Sequence, residues 1–404
     1  MKGRPSGPQP HRKDGYSTFR GGWWPCLCLL LGSLLLGSGC GGDHERQEAG
    51  EDSITVAEAL SGEDAASGFA RADGPRDFRF PADHGAHPDY RHEWWYVTGN
   101  LENADGRHFG FQITFFRFAL LPQELIRDSA WGTRQLWMAH FAVTDTEGET
   151  FHHFERLARG ALDLAGAQAD PFRVWLEDWT LAAAPDTTGF EQLEADLAAE
   201  DVALQLRLEP RKPIVFQGER GYSRKGPEPG NASYYYSVPR LYAEGQIRLP
   251  EGEHAVRGNA WIDREWGSST LAEDQVGWDW FSLQLDDGRE LMFYHLRRAD
   301  GSIDPRSKGG WVDVDGEHRV VTREDVELEV LDTWTSPDGK ATYPSRWRLH
   351  YAEERLELEI EPTLADQELR DGFRYWEGAI RGQGTAAGES VSAVGYAELT
   401  GYAD

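Results

Sequence analysis

Thiols are almost missing from this chain. Its three cysteines, Cys26, Cys28 and Cys40, all lie near the N-terminus. Everything beyond residue 40 therefore lacks a thiol nucleophile, a disulfide and a cysteine metal site. Positive charge is scarce as well: 41 Lys plus Arg stand against 69 Asp plus Glu, a formal net charge of −28. Affinity for a phosphate backbone rests on cationic contacts, so nucleic acid is not an expected partner. The chain has no Gly-x-Ser-x-Gly elbow for a serine nucleophile, and none of its histidines has the close spacing of a zincin. His92, His140, His153 and His295 could form a metal site or triad only if the fold gathers them, and neither metal nor cofactor is expected. The loop 218–226 is rich in glycine and base but lacks the strand-to-helix context of a phosphate loop. Aromatics, by contrast, are abundant: 14 Tyr, 18 Phe and 16 Trp. So many imply aromatic-lined sheet surfaces or a pocket, or else large cores that use Trp.

The first 25 residues carry Lys2, Arg4, Arg12, Lys13 and Arg20 against one acid, Asp14, and the apolar run 26–36 follows. That run is short for a transmembrane helix and ends in small residues, the pattern of a secretory signal. Leu36-Gly37-Ser38-Gly39-Cys40 resembles a bacterial lipobox, with Gly37 where Leu is usual. Residues 1–39 are thus expected to be a lipoprotein signal peptide. Cys40 would be the lipidated residue, holding the protein to a membrane of the bacterial cell envelope and facing the periplasm or extracytoplasmic surface. Residues 40–75 are acidic, rich in Gly, Ala and Ser, and read as a flexible tether.

At 404 residues the chain suggests two domains. The pattern beyond residue 76 is that of an all-β protein. Residues 93–101 are aromatic and β-branched, Asp105-Gly106 supplies a tight turn, and 109–118 alternates apolar residues. Residues 201–210 alternate Val202, Leu204, Leu206 and Leu208 against polar neighbours. Only 124–131 and 191–200 are candidates for short helices, and the second reads equally as an acidic turn. From Gly245 the pattern restarts: Trp278-Asp279-Trp280-Phe281, Asp287-Gly288-Arg289 and Phe293 echo Glu93-Trp94-Trp95-Tyr96, Asp105-Gly106-Arg107 and Phe111. The echo implies two related antiparallel β domains, 76–244 and 245–404, each a sandwich or barrel.

Several motifs carry a family resemblance. They are His92-Glu93-Trp94-Trp95-Tyr96-Val97-Thr98-Gly99-Asn100-Leu101, Trp261-Ile262-Asp263-Arg264-Glu265-Trp266-Gly267, Gly277-Trp278-Asp279-Trp280-Phe281, Tyr375-Trp376-Glu377-Gly378-Ala379 and Gly395–Tyr402. With these the chain resembles the bacterial carotenoid 1,2-hydratase/AttH-like proteins, often labelled predicted secreted hydrolases, and looks closer to their lipoprotein branch. The resemblance implies two lipocalin-like β domains packed together. It implies addition of water to a terminal carbon–carbon double bond, with Asp263 as proton donor. Trp261 and Glu265 stand where the true hydratases resemble Tyr and Asn.

Alkene hydration needs a strong local acid, stabilisation of a carbocation and a positioned water. Asp263 and Glu265, two positions apart, should share a strand face, with Arg264 on the other. A carboxyl kept protonated by apolar surroundings and a like charge can be the acid. Trp266, Trp278 and Trp280 could offer π faces to the cation, and Asp279 could hold the water or act as a second acid. Asp263, Glu265 and Asp279 are the catalytic candidates. Trp261, Trp266, Trp278, Trp280, Tyr294, Trp95 and Tyr235 are the substrate-binding ones. Equally, Asp263-Arg264-Glu265 reads as a buried ion network, and His92-Glu93 as a buried pair anchoring the first strand. Two functions from different classes follow: an envelope enzyme acting on an apolar isoprenoid or lipid-like substrate, or a non-catalytic lipid-binding or accessory module.

Overall fold

The computed structural model describes residues 66–123, 128–269 and 271–403. The signal segment, Cys40 and most of the tether lie outside them, as does the first half of the candidate helix 124–131. All described residues fall within one compact unit, Glu51–Asp404.

The described residues are organised by β-strands, with one 3-10 turn at Ala82–His84. In chain order the first strands are β1 (His92–Asn103), β2 (His108–Ala119), β3 (Gln135–Asp145), β4 (Thr150–Arg159), β5 (Ala165–Ala169), β6 (Phe172–Leu176) and β7 (Trp179–Ala183). Then come β8 (Leu193–Ala199), β9 (Val202–Pro210), β10 (Val215–Phe216), β11 (Tyr222–Arg224), β12 (Ala232–Leu249) and β13 (Gly252–Ser269). These form one antiparallel sheet in the order β4-β3-β2-β1-β13-β12-β9-β8-β7-β6-β5, with β10 and β11 on β12.

The second sheet is built from β14 (Gln275–Leu285), β15 (Glu290–Arg298), β16 (Lys308–Val312), β17 (His318–Thr322) and β18 (Val326–Thr335), followed by β19 (Thr342–Tyr351), β20 (Leu356–Pro362), β21 (Glu368–Leu369), β22 (Tyr375–Ala386) and β23 (Glu389–Leu399). Its order is β17-β16-β15-β14-β23-β22-β20-β19-β18, with β21 on β22. Of the two sheets, one is a nearly closed barrel and the other a half-barrel, the arrangement of tandem lipocalin-like domains.

Period-two alternation decides where each side chain goes. Trp95, Val97 and Leu101 of β1, Phe109, Phe111, Ile113 and Phe115 of β2, and Val202, Leu204, Leu206 and Leu208 of β9 fill the first sheet's core. Phe281, Leu283, Leu285, Trp347, Leu349, Leu358 and Ile360 fill the second. A third apolar cluster takes the opposite faces of β1, β12 and β13 together with those of β14, β15, β22 and β23. The sheets therefore meet back to back. Asn100 Nδ2 donates to Gly395 O across this junction at 3.0 Å, and Gln284 Nε2 donates to Ala260 O at 2.9 Å. Gly110 lies at a close approach, where a Cβ would stand 2.6 Å from that of Ala379. Doubly covered strands need apolar or aromatic residues on both faces, which accounts for much of the aromatic excess.

The echoed segments are equivalent hairpins, β1–β2 and β14–β15, turned by Gly106 and Gly288 at φ 85° and 88°. Two local expectations change. Residues 193–199 form β8 because Leu193, Ala195 and Leu197 alternate inward, and an inward row outweighs the helix-favouring acids around it. Residues 128–131 are bends and turn, not helix. The position 244/245 falls inside β12, and the chain leaves the first sheet only after β13. Gly245, the point at which the pattern restarts, is a close-pairing strand residue: a Cβ there would lie 1.9 Å from Gln205 O.

Candidate active site

The junction between the sheets is not solid. A cavity lined by residues of both sheets lies between them. Pairing on the first sheet lays out its floor in two cross-strand rows. Thr114, Tyr96, Asp263 and Ser237 form one row, and Phe116, Trp94, Glu265 and Tyr235 form the next. The second sheet contributes Trp278 and Trp280 from β14, Tyr294 and Leu296 from β15, Tyr375 and Glu377 from β22, and Glu398 from β23. Lys225 and Leu271 close the side.

Asp263 is buried and held by three donors. Trp261 Nε1 and Ser237 Oγ donate to Oδ1 at 2.7 and 2.5 Å, and Tyr235 OH donates to Oδ2 at 2.6 Å. The donors are themselves oriented: Gln217 Nε2 donates to Ser237 Oγ at 2.9 Å, and Trp280 Nε1 to Tyr235 OH at 3.2 Å. Burial pushes the Asp263 carboxyl up and the Glu265 charge adds to this. The three hydrogen bonds pull it back, and it settles at about 7. Such a group both gives and takes a proton near neutral pH. Glu265 is neutralised directly, accepting from Lys225 Nζ and Ser233 Oγ. The Lys225 ammonium also lies 5.8, 5.6 and 5.5 Å from the rings of Trp94, Tyr235 and Tyr294.

On the facing wall, Tyr96 OH donates to Glu377 Oε1 at 2.6 Å, while Glu377 Oε2 has no partner among the described residues. Burial, then the charge of Glu398, raise the Glu377 carboxyl well above its ordinary range. Glu398 is raised to about 7, chiefly by burial. The cavity thus pairs aromatic walls with carboxyls that lean towards the neutral acid.

Of the residues singled out in the sequence, Asp263, Glu265, Tyr235, Trp278, Trp280 and Tyr294 line this space. Trp261 stands behind Asp263 as a hydrogen-bond donor. Three lie elsewhere, each one step out of phase in the alternation. Trp95 and Trp266 point into the first core, where Trp95 stacks on Trp137 at 5.6 Å and Trp266 on His87 at 3.8 Å. Asp279 is buried outside the cavity lining, tied to Arg297 Nε at 3.0 Å and Tyr402 OH at 2.9 Å. Arg264 faces away from Asp263, as expected, and pairs with Glu93. The ion network therefore joins Arg264 to β1 rather than to the neighbouring acids. Glu93 also accepts from Arg117, which anchors the first strand. Glu377, Glu398, Tyr96, Tyr375 and Lys225 were not among the expected site residues. The first four sit in strands whose inward face a lone sequence does not reveal, and Lys225 sits in a basic loop. Among the described residues no group of three or more His, Cys, Asp or Glu could hold a metal ion.

The AttH-like family profile matches residues 71–402. The chain belongs to the AttH-like family. The crystal structure of a protein described as an AttH from Nitrosomonas europaea shares 39% identity with it. That match has a TM-score of 0.72 and covers 83% of this AttH-like chain and 100% of the other. Kievitone hydratase from Nectria haematococca matches at 14% identity and a TM-score of 0.62, over 83% of this chain and 95% of its own. CghA matches at 11% identity and a TM-score of 0.50, over 85% and 97% of the two chains. These two likenesses show the AttH-like fold alone. A search of curated proteins found no match.

Proposed function

We propose that this AttH-like protein binds an apolar isoprenoid or lipid-like molecule between its two sheets and adds water across a carbon–carbon double bond, with Asp263 as the acid. The observation that carries this reading is Asp263 itself: a carboxyl on the floor of an aromatic cavity, fixed by three oriented donors and balanced near neutrality. In the forward step the Asp263 proton passes to the terminal alkene carbon, leaving a tertiary cation on the adjacent carbon. Trp278 and Trp280 offer π faces to that charge. Water then forms the C–O bond and gives up a proton. A hydratase is among the solved proteins of this fold, which fits the reading.

The test has two stages. Protein purified from its own envelope is analysed by native mass spectrometry and organic extraction, and a co-purified isoprenoid or acyl lipid is expected. Acyclic isoprenoids from geraniol to squalene are then incubated with the protein in ¹⁸O-labelled water. An alcohol carrying one ¹⁸O is expected, whereas saturable binding without labelled alcohol would leave a lipid carrier as the function.

The same proposal places the protein on a lipid anchor at Cys40 in the bacterial envelope, facing the periplasm or extracytoplasmic surface, with residues 1–39 removed and the following acidic segment as tether. It rests on the lipobox-like sequence alone. Cys40→Ser is expected to move the protein from the membrane fraction to the soluble one on fractionation. Unchanged membrane association would reject the anchor.

A further inference from the structure

The cavity has a second connection, made by residues that the acid step does not use. Across β4, β3, β2, β1 and β13, pairing sets Glu155, His140, Thr114, Tyr96 and Asp263 in one continuous row. Tyr375 enters this row from the other sheet, and its hydroxyl lies 2.7 Å from His140 Nδ1. His140 Nε2 lies 3.1 Å from Glu155 Oε2. The direction of both bonds follows from the carboxylate. Glu155 accepts from Nε2, so in the neutral form of the ring Nδ1 is the acceptor and the Tyr375 hydroxyl donates to it. Gln112 Nε2, 3.4 Å from the same hydroxyl, is placed to donate to it as well.

The environment of each member matches a relay. Tyr375 lines the cavity, and the His140 side chain is 1% exposed. The Glu155 side chain is 21% exposed and reaches solvent. Burial tends to raise the Glu155 carboxyl. The hydrogen bond from His140 and those from the backbone N–H groups of Phe373 and Gly372 outweigh this, so it stays below its ordinary value and ionised. Hydroxyl, imidazole and oriented carboxylate in series are the parts by which a weak oxygen base is activated. Strands lie roughly 4.8 Å apart, so His140 and Asp263, three strands removed, are separated by about 14 Å. Tyr375, the member of the relay next to His140, lines the same cavity as Asp263.

We propose that Tyr375, His140 and Glu155 are the base side of the reaction, taking the proton of the attacking water and passing it to solvent. As the water oxygen bonds to the cationic carbon, its proton moves to the Tyr375 oxygen. The Tyr375 proton moves to His140 Nδ1, and the imidazolium is held by Glu155, from which the proton leaves. Asp263, left as carboxylate, takes a proton back from solvent, so the sum is alkene plus water to alcohol. Tyr375 is then catalytic, and His140 and Glu155 act through it. The inference rests on the hydration reading above, and its test separates the two.

Wild type, Tyr375→Phe, Glu155→Gln and Asp263→Asn are incubated with the isoprenoid panel in deuterium oxide, and recovered alkene and alcohol are analysed by mass. Protonation by Asp263 and its reversal put deuterium into the alkene without any water capture. Tyr375→Phe should therefore keep alkene exchange within about 2-fold of wild type while alcohol formation falls roughly 10²-fold or more. Glu155→Gln should shift the same ratio in the same direction by about 10-fold. Asp263→Asn should abolish both. Alcohol and exchange falling together in Tyr375→Phe, or alcohol formation left intact, overturns the relay while leaving hydration standing. A wild type that yields neither deuterated alkene nor alcohol overturns the hydration reading itself and the relay with it. Glu155→Gln lies at the partly exposed end, so it keeps the comparison decisive where the buried change alters folding.

Discussion

Asp263→Asn is expected to stay folded and to keep its affinity for an apolar ligand while turnover falls by roughly 10²–10⁴-fold. The asparagine carbonyl still accepts from Trp261 Nε1 and Ser237 Oγ, and its amide meets the Tyr235 hydroxyl, which can accept it. The packing is unchanged and only the transferable proton is lost. A second readout ties the effect to the carboxyl. In the folded protein Asp263 holds its proton up to about 7, against an ordinary value of 3.8. Between these limits the folded state binds more protons than the unfolded one. Stability from this group therefore falls as pH rises, by about 1.4 kcal/mol per pH unit. In Asp263→Asn that slope should disappear from urea-unfolding free energies measured between pH 4 and 7. Turnover within a factor of two of wild type would remove Asp263 from the acid role.

The largest stability loss should come from Glu93→Ala, a position that does not line the cavity. Glu93 is fully buried and accepts from Arg117 Nε and Arg264 Nη2, both also buried, with the His87 N–H at 2.9 Å from Oε1. The Arg264 guanidinium lies over the Trp95 ring, 3.9 Å from its centroid. Removing the carboxylate leaves two buried guanidinium groups without their counter-charge, which costs about 3–5 kcal/mol. The urea midpoint should drop accordingly, and Glu93→Gln should lose much of the same stability because it keeps the shape without the charge. Burial alone would raise the Glu93 carboxyl, but Arg117 and Arg264 hold it well below its ordinary range. Its contribution is present above about pH 4.5 and is lost as pH falls, the opposite trend to Asp263. A midpoint shift worth less than 1 kcal/mol would show that the guanidinium groups find other partners.

Together the two residues separate the roles of the paired motifs. Glu93 and Arg264 tie β1 to β13 on the core side, and Asp263 and Glu265 look outwards from β13 into the cavity. The sequence places all four within two short motifs and correctly sets Arg264 on the face opposite Asp263, because side chains alternate along a strand.

The sequence by itself determined the elements: period-two runs such as Val202 to Leu208, the Asp-Gly turns of two echoing hairpins, and an aromatic content suited to doubly covered sheets. It also singled out Asp263. Only the tertiary structure decided which face of each strand meets the other sheet. Trp95, Trp266 and Asp279 look equivalent to Trp94, Trp261 and Trp278 in the sequence, yet one residue of phase sends them to cores or ion pairs. Tyr375, His140 and Glu155 are polar residues up to 235 positions apart, on three different strands. No local pattern joins them, because the two hydrogen bonds that make them a chain exist only once strand pairing sets the row and the second sheet closes over it.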